Sequence, residues 1–293
     1  MTGPTIGNLR VDGATLHYEV RGQGPLLLLI PGGTGGAAAF DGVADDLAGE
    51  YTVVAYDPRG FSRSPLDDPE APQRVEQHAD DAFRLLELLS PDAPARVAGC
   101  SSGAIVALHL LTARPERIAR VVAHEPPAVE VLPDAAEHRA LLASVQDTFR
   151  REGLMPAAAV FAAGLRRPGT EPGAESAAGP AAPPADSQAA IAELPPEARA
   201  RVERTMADMP YFLGRIVPSF MAYTPDVDRL EALSDRLVLA GGEDSHGELP
   251  YRPAAFLAER FGTELVHFPG GHTGLSTHPA EFGALLRKVL TGP

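Results

Sequence analysis

The strongest constraint on this chain is a rhythm of short, unbroken apolar runs, each followed by a segment of helical period. Leu26–Ile30, Tyr51–Tyr56, Ala95–Gly99, Ile118–Ala123, Arg236–Ala240 and Glu264–Phe268 are the runs. A short apolar run without alternation suits a strand covered on both faces, as in a parallel sheet. Between them, Asp41–Glu50, Arg74–Leu89, Ser102–Arg114, Pro253–Arg260 and Pro279–Leu290 read as amphipathic helices. In the last, Phe282, Leu285, Leu286 and Val289 recur at helical spacing. At the start of the chain, Asn8–Val11 and Thr15–Val20 flank Asp12-Gly13, a hairpin signal. A hairpin followed by repeated βα units predicts an open, mostly parallel α/β sheet flanked by helices.

The rhythm breaks between about Pro126 and Asp228, where helical patterns follow one another without a strand. They cover Ala135–Glu152, Met155–Leu165, Pro196–Met209 and Tyr211–Tyr223. An insertion that leaves after one strand and returns to the same sheet is expected to cap one end of it. The expected organisation is therefore a core of residues 1–127 and 229–293 with a helical cap over 128–228. Within the cap, residues 167–186 are rich in Pro, Gly, Ala and Ser. That stretch has too little apolar surface to offset the cost of ordering, and a mobile loop is expected there.

Composition narrows the function classes. The formal charge of −14 leaves nothing to neutralise a phosphate backbone, so nucleic acid is not an expected partner. A single cysteine, Cys100, rules out an intramolecular disulfide, and it is expected beneath the nucleophile turn as a small buried residue. Met1–Arg10 lacks the basic-then-apolar pattern of a secretory signal, and no apolar run approaches the roughly 20 residues of a membrane span. A soluble cytoplasmic protein without membrane partners is the expectation; the pattern says nothing of oligomeric state.

Chemistry concentrates at Gly99-Cys100-Ser101-Ser102-Gly103, which follows the strand Ala95–Gly99 and opens a helix at Ser102. This is G-x-S-x-G in the strand–turn–helix context that gives it meaning. The sharp turn projects the Ser101 hydroxyl from the sheet edge, and the helix N-terminus supplies free N–H groups for a developing oxyanion. The chain has nine histidines, but only His272, in Pro269-Gly270-Gly271-His272-Thr273-Gly274 after the last strand, combines a glycine-rich loop with the order Ser…His. It is the candidate general base. Two carboxylates compete to orient it: Glu125 in His124-Glu125-Pro126-Pro127, and Asp244 in Gly241-Gly242-Glu243-Asp244. Either follows a strand, and the residues alone leave both open.

A second glycine-rich loop, Pro31-Gly32-Gly33-Thr34-Gly35-Gly36, follows the strand Leu26–Ile30. The backbone N–H of Gly33, with Thr34 as fallback, is expected to pair with that of Ser102 as the oxyanion hole. A dinucleotide site fails here for want of G-x-G-x-x-G spacing and an acidic ribose partner, and a phosphate loop fails for want of a Lys after the glycines. No cofactor or metal is called for. Phe161, Phe212, Phe220 and Tyr223 are candidate apolar contacts for a substrate under the cap, and Thr34 is a further candidate at its rim.

Together these pieces resemble the α/β-hydrolase family over nearly the whole chain apart from the cap, including Asp57-Pro58-Arg59-Gly60-Phe61-Ser62-Arg63-Ser64. More narrowly, Gly99–Ala104, Pro115-Glu116-Arg117-Ile118, His124-Glu125-Pro126 and Pro269–His272 resemble zearalenone-type lactonases. That resemblance implies a cofactor-free Ser-Glu-His hydrolase of a small-molecule ester or lactone, and favours Glu125 over Asp244. The chain departs from that group by keeping Asp244 and by having no tryptophan, which the lactonase cap sets against its substrate. Dehalogenases and epoxide hydrolases share the fold but place aspartate where Ser101 stands. Perhydrolases, carbon–carbon bond hydrolases and a non-catalytic ligand-binding protein of the same fold remain alternatives.

Overall fold

A computed structural model describes residues 3–167 and 194–291. Among the described residues eight strands form one sheet: β1 (Thr5–Val11), β2 (Ala14–Arg21), β3 (Leu26–Ile30), β4 (Thr52–Tyr56), β5 (Ala95–Cys100), β6 (Ile118–His124), β7 (Leu237–Gly242) and β8 (Val266–Phe268), in the order β1-β2-β4-β3-β5-β6-β7-β8. The N-terminal hairpin pairs antiparallel, with Val11 opposite Ala14, and β2 joins β4 antiparallel. All other pairings are parallel. The expected architecture is the one found.

The uninterrupted apolar character of β3 follows from its place at the sheet centre. Leu28 and Ile30 belong to a core shared with α2 (Val75–Leu89) and α3 (Ser102–Ala113), while Leu27 and Leu29 belong to one shared with α1 (Asp41–Leu47) on the other face. Successive side chains of a strand point to opposite faces, so every residue here must be apolar.

Between β6 and β7 the described residues form α4 (Ala135–Glu152), α5 (Leu154–Leu165), α6 (Pro196–Tyr211), α7 (Val217–Met221) and α8 (Val227–Ala232), with no strand among them. They build a third core around Leu142, Val145, Ala157, Leu213 and Val217. The segment Tyr211–Tyr223, read from sequence as one helix, is divided by a π-helical turn at Phe212–Ile216. Pro218 has no N–H to continue the ladder, and its ring crowds the preceding turn, so the chain widens before it. The insertion seats on the 58–70 stretch: Tyr211 donates its hydroxyl to the Arg59 carbonyl at 3.1 Å, and Asp208 accepts the Ser62 N–H at 3.0 Å. The loop expected over 167–186 lies, apart from Arg167, outside the described residues. After β7 come α9 (Tyr251–Phe261), α10 (Gly274–Thr277) and α11 (Pro279–Leu290); the last packs Phe282, Leu286 and Leu290 beside α1. Among the described residues no helix is long and apolar enough to cross a membrane.

Candidate active site

Ser101 sits between β5 and α3 at φ 52°, ψ −123°, a left-handed backbone that a residue with a side chain adopts only under constraint. The flanking glycines supply that constraint by letting backbones touch. A Cβ on Gly99 would stand 2.4 Å from the Gly103 carbonyl oxygen, and one on Gly103 would stand 2.3 Å from that of Ile30. Helix, elbow and central strand therefore close on one another only with hydrogen at both positions. Cys100 corrects one expectation: it is half-buried and lines the cavity above the elbow, and desolvation pushes its thiol up to about 12.

His272 stands on the loop between β8 and α10, and its Nδ1 meets Glu125 Oε2 at 2.6 Å. Glu125 follows β6 at φ 49° and is fully buried. Its other oxygen accepts the Gly242 N–H at 2.7 Å and the Ser245 hydroxyl. Burial alone would raise the carboxyl's pKa, but the His272 hydrogen bond and charge, with the Ser245 bond, outweigh it and hold the group below its ordinary value. Asp244, the competing acid, is exposed, and its backbone N–H donates to the Gly270 carbonyl at 2.9 Å. The end of β7 and the loop after it thus offer Glu125 two donors in place of a carboxylate. Ser245 was missed in the sequence; nothing about a serine after Asp244 marks it until the fold brings it against β6.

Ser101 and His272 line one cavity of about 480 Å³. Among the described residues no hydrogen bond joins them in the resting structure; such contacts commonly tighten only once substrate is bound. Gly33 and Thr34 line the same cavity. Gly33, at φ 60°, donates its N–H to the Ser102 hydroxyl at 3.2 Å. The loop is anchored by buried Asp57, which accepts the Ala37 N–H at 2.8 Å and the Arg63 side chain at 2.7 Å.

Phe161, Phe212 and Phe220 line the cavity, two of them directed there by the widened turn and the short helix after it. Tyr223 does not. It lies beyond the end of α7, where its hydroxyl, in need of a polar partner, bonds His109 Nδ1 of α3 at 2.7 Å. Thr34, Ser101, Ser102, His272, Thr273 and Ser276 supply the cavity's polar side chains; no Asp, Glu, Lys or Arg among the described residues lines it. Nor do the described residues bring together three His, Cys, Asp or Glu side chains able to hold a metal ion.

Next to Glu125 in the chain, His124 is 1% exposed and wedged edge-on against Phe268 and Phe282, at 5.6 and 5.2 Å between ring centres. Neither of its ring nitrogens has a hydrogen-bond partner among the described residues. Burial lowers its pKa to about 4, with the nearby His272 acting in the same direction.

Residues 25–173 match the alpha/beta hydrolase fold family. The chain is similar to the uncharacterized hydrolase YraK of Bacillus subtilis (strain 168), with 34% identity over 97% of this chain and 95% of that protein. A zearalenone hydrolase of Bionectria ochroleuca is 35% identical over a shorter stretch, 40% of this chain and 45% of that one. Among solved structures, a thermophilic esterase from Thermogutta terrifontis aligns over 99% of this chain and 98% of its own, with TM-score 0.70 and 20% identity. At that identity the likeness bears on the fold.

Proposed function

The chain belongs to the alpha/beta hydrolase fold family, and from that premise we propose that it hydrolyses an uncharged, hydrophobic ester or lactone through an acyl-enzyme on Ser101. The observation that carries the reading is the 2.6 Å bond between His272 and buried Glu125 on the rim of the cavity that Ser101 enters. Ser101 Oγ attacks the carbonyl carbon while His272 Nε2 takes its proton. Glu125 holds the opposite nitrogen, fixes the tautomer and stabilises the imidazolium. The tetrahedral oxygen, now negative, is met by the free N–H at the start of α3. Collapse breaks the ester C–O bond, and His272 returns the proton to the leaving oxygen. Water, deprotonated by the same imidazole, then attacks the acyl carbon; the bond to Ser101 Oγ breaks and His272 returns the proton to that oxygen, releasing the acid.

The substrate class follows from the lining. An aromatic and aliphatic wall formed by Phe161, Leu165, Phe212 and Ile216 favours apolar surface and would leave a charged substrate unpaired. The similarity to a zearalenone hydrolase supports a lactone among the candidates. The test is a panel of neutral esters and lactones, assayed with wild type and Ser101→Ala. Turnover with an initial burst in wild type, and its loss in the variant, is the expected result; equal turnover in both would overturn the reading.

A further inference from the structure

The glycine-rich loop after β3 is expected to aim the Gly33 N–H at an incoming carbonyl oxygen. In the structure that hydrogen ends on the Ser102 hydroxyl, with 3.2 Å between Gly33 N and Ser102 Oγ. The loop has little freedom to redirect it. Gly33 holds φ 60°, the Gly35 N–H closes a turn onto the Gly32 carbonyl at 2.9 Å, and Asp57 pins Ala37 beyond. Ser102 is the first residue of α3, so its own N–H has no acceptor within the helix. Its hydroxyl carries one hydrogen and two lone pairs. One lone pair takes the Gly33 hydrogen. No described residue accepts the hydroxyl's own hydrogen, and the side chain lines the cavity shared with Ser101 and His272. A hydroxyl that already accepts a bond is a stronger donor, because the incoming N–H draws charge from its oxygen.

We infer that the Ser102 hydroxyl is itself a catalytic donor to the oxyanion. It relays the Gly33 N–H dipole, so that one residue presents two hydrogens, its own N–H and its O–H, to the oxygen of the tetrahedral intermediate. No bond to Ser102 forms or breaks, and its proton stays on Oγ throughout. The inference rests on the serine reaction proposed above and adds a side chain to it. Two rival roles predict different signs. If the hydroxyl merely plugged the Gly33 N–H until substrate displaced it, removing it would speed the reaction. If it merely tied the loop to the helix, removing it would loosen substrate binding as much as turnover.

Wild type, Ser102→Ala and Ser102→Thr are compared by fluorophosphonate labelling with the site read by mass, by kcat and KM on an activated ester, and by inhibition with a trifluoromethyl ketone. Wild type is expected to label at Ser101. Ser102→Ala, which keeps the N–H, should lose about 10²-fold in labelling rate and kcat, with KM within about twofold. The ketone, which mimics the tetrahedral state, should weaken in proportion to the loss of kcat/KM. Ser102→Thr, which keeps an O–H, should regain most of the rate. A Ser102→Ala variant as fast as wild type, or faster, overturns the inference. So do equal losses in both variants accompanied by a rise in KM. An unlabelled wild type removes the serine reaction itself, and the inference with it.

Discussion

Glu125 and Asp244 carry the same chemical group into opposite surroundings. One is buried and accepts from His272, Gly242 and Ser245; the other faces solvent. Changing Glu125 to Gln keeps the shape but removes the charge that stabilises an imidazolium. Turnover should fall about 10⁴-fold, by analogy with other triads, while Asp244→Asn should leave it nearly unchanged; steady-state kinetics on the two purified variants decides. In the reaction proposed above, Ser245 acts as a positioning residue behind Glu125. Ser245→Ala should lower kcat roughly tenfold, the scale of one lost bond to a buried charge. With one donor gone the Glu125 carboxylate becomes more basic, so the low-pH limb of the kcat profile should move to higher pH. An unmoved limb would reduce Ser245 to packing.

At the scale of elements, most of the fold was legible because apolar period and glycine placement act locally. The α11 bounds Pro279–Leu290 match those read from Phe282, Leu285, Leu286 and Val289, and β3 matches its run of five apolar residues. The elbow was legible because Gly99 and Gly103 flank a serine between a strand and a helix. What was not legible depended on contacts across the sheet. The donors to Glu125 are set by where the end of β7 and the turn after it fall against β6, the place of Tyr223 by a histidine on α3, and the π turn by a proline whose effect on the preceding turn no periodicity reveals. Gly99→Ala would press a methyl to 2.4 Å from the Gly103 carbonyl and 2.8 Å from the Ala104 Cα, both backbone atoms. The variant should lose at least about 1–3 kcal/mol of stability, read as a lower urea midpoint with unchanged slope.

The molecule as a whole carries buried imidazoles whose protonation opposes folding. Burial lowers the pKa of His78 to about 3, with Arg59 adding to it, and that of His124 to about 4. The unfolded chain takes up protons at these positions near pH 6.5, whereas the folded one resists until far lower pH. Folding free energy is therefore complete above about pH 6.5 and declines on acidification through the folded values, by about 1.4 kcal/mol per pH unit for each histidine in that window. Urea midpoints at neutral and mildly acidic pH should show the decline, and His124→Phe should make it shallower; an identical pH dependence in the variant would refute the assignment. A different consequence follows from the pairing of β5 and β6. Cys100 lies opposite His124, the Ser101 N–H bonds the His124 carbonyl, and the Glu125 N–H bonds that of Ala240. Hydroxyl and carboxylate thus ride on the rigid frame, one step past matched rungs, while the imidazole arrives alone on a stretch that turns through Gly270 at φ 75°. In the reaction proposed above, repositioning therefore falls to the loop that brings His272, whose Gly270 carbonyl the Asp244 N–H holds at 2.9 Å, while hydroxyl and carboxylate stay where the sheet has set them.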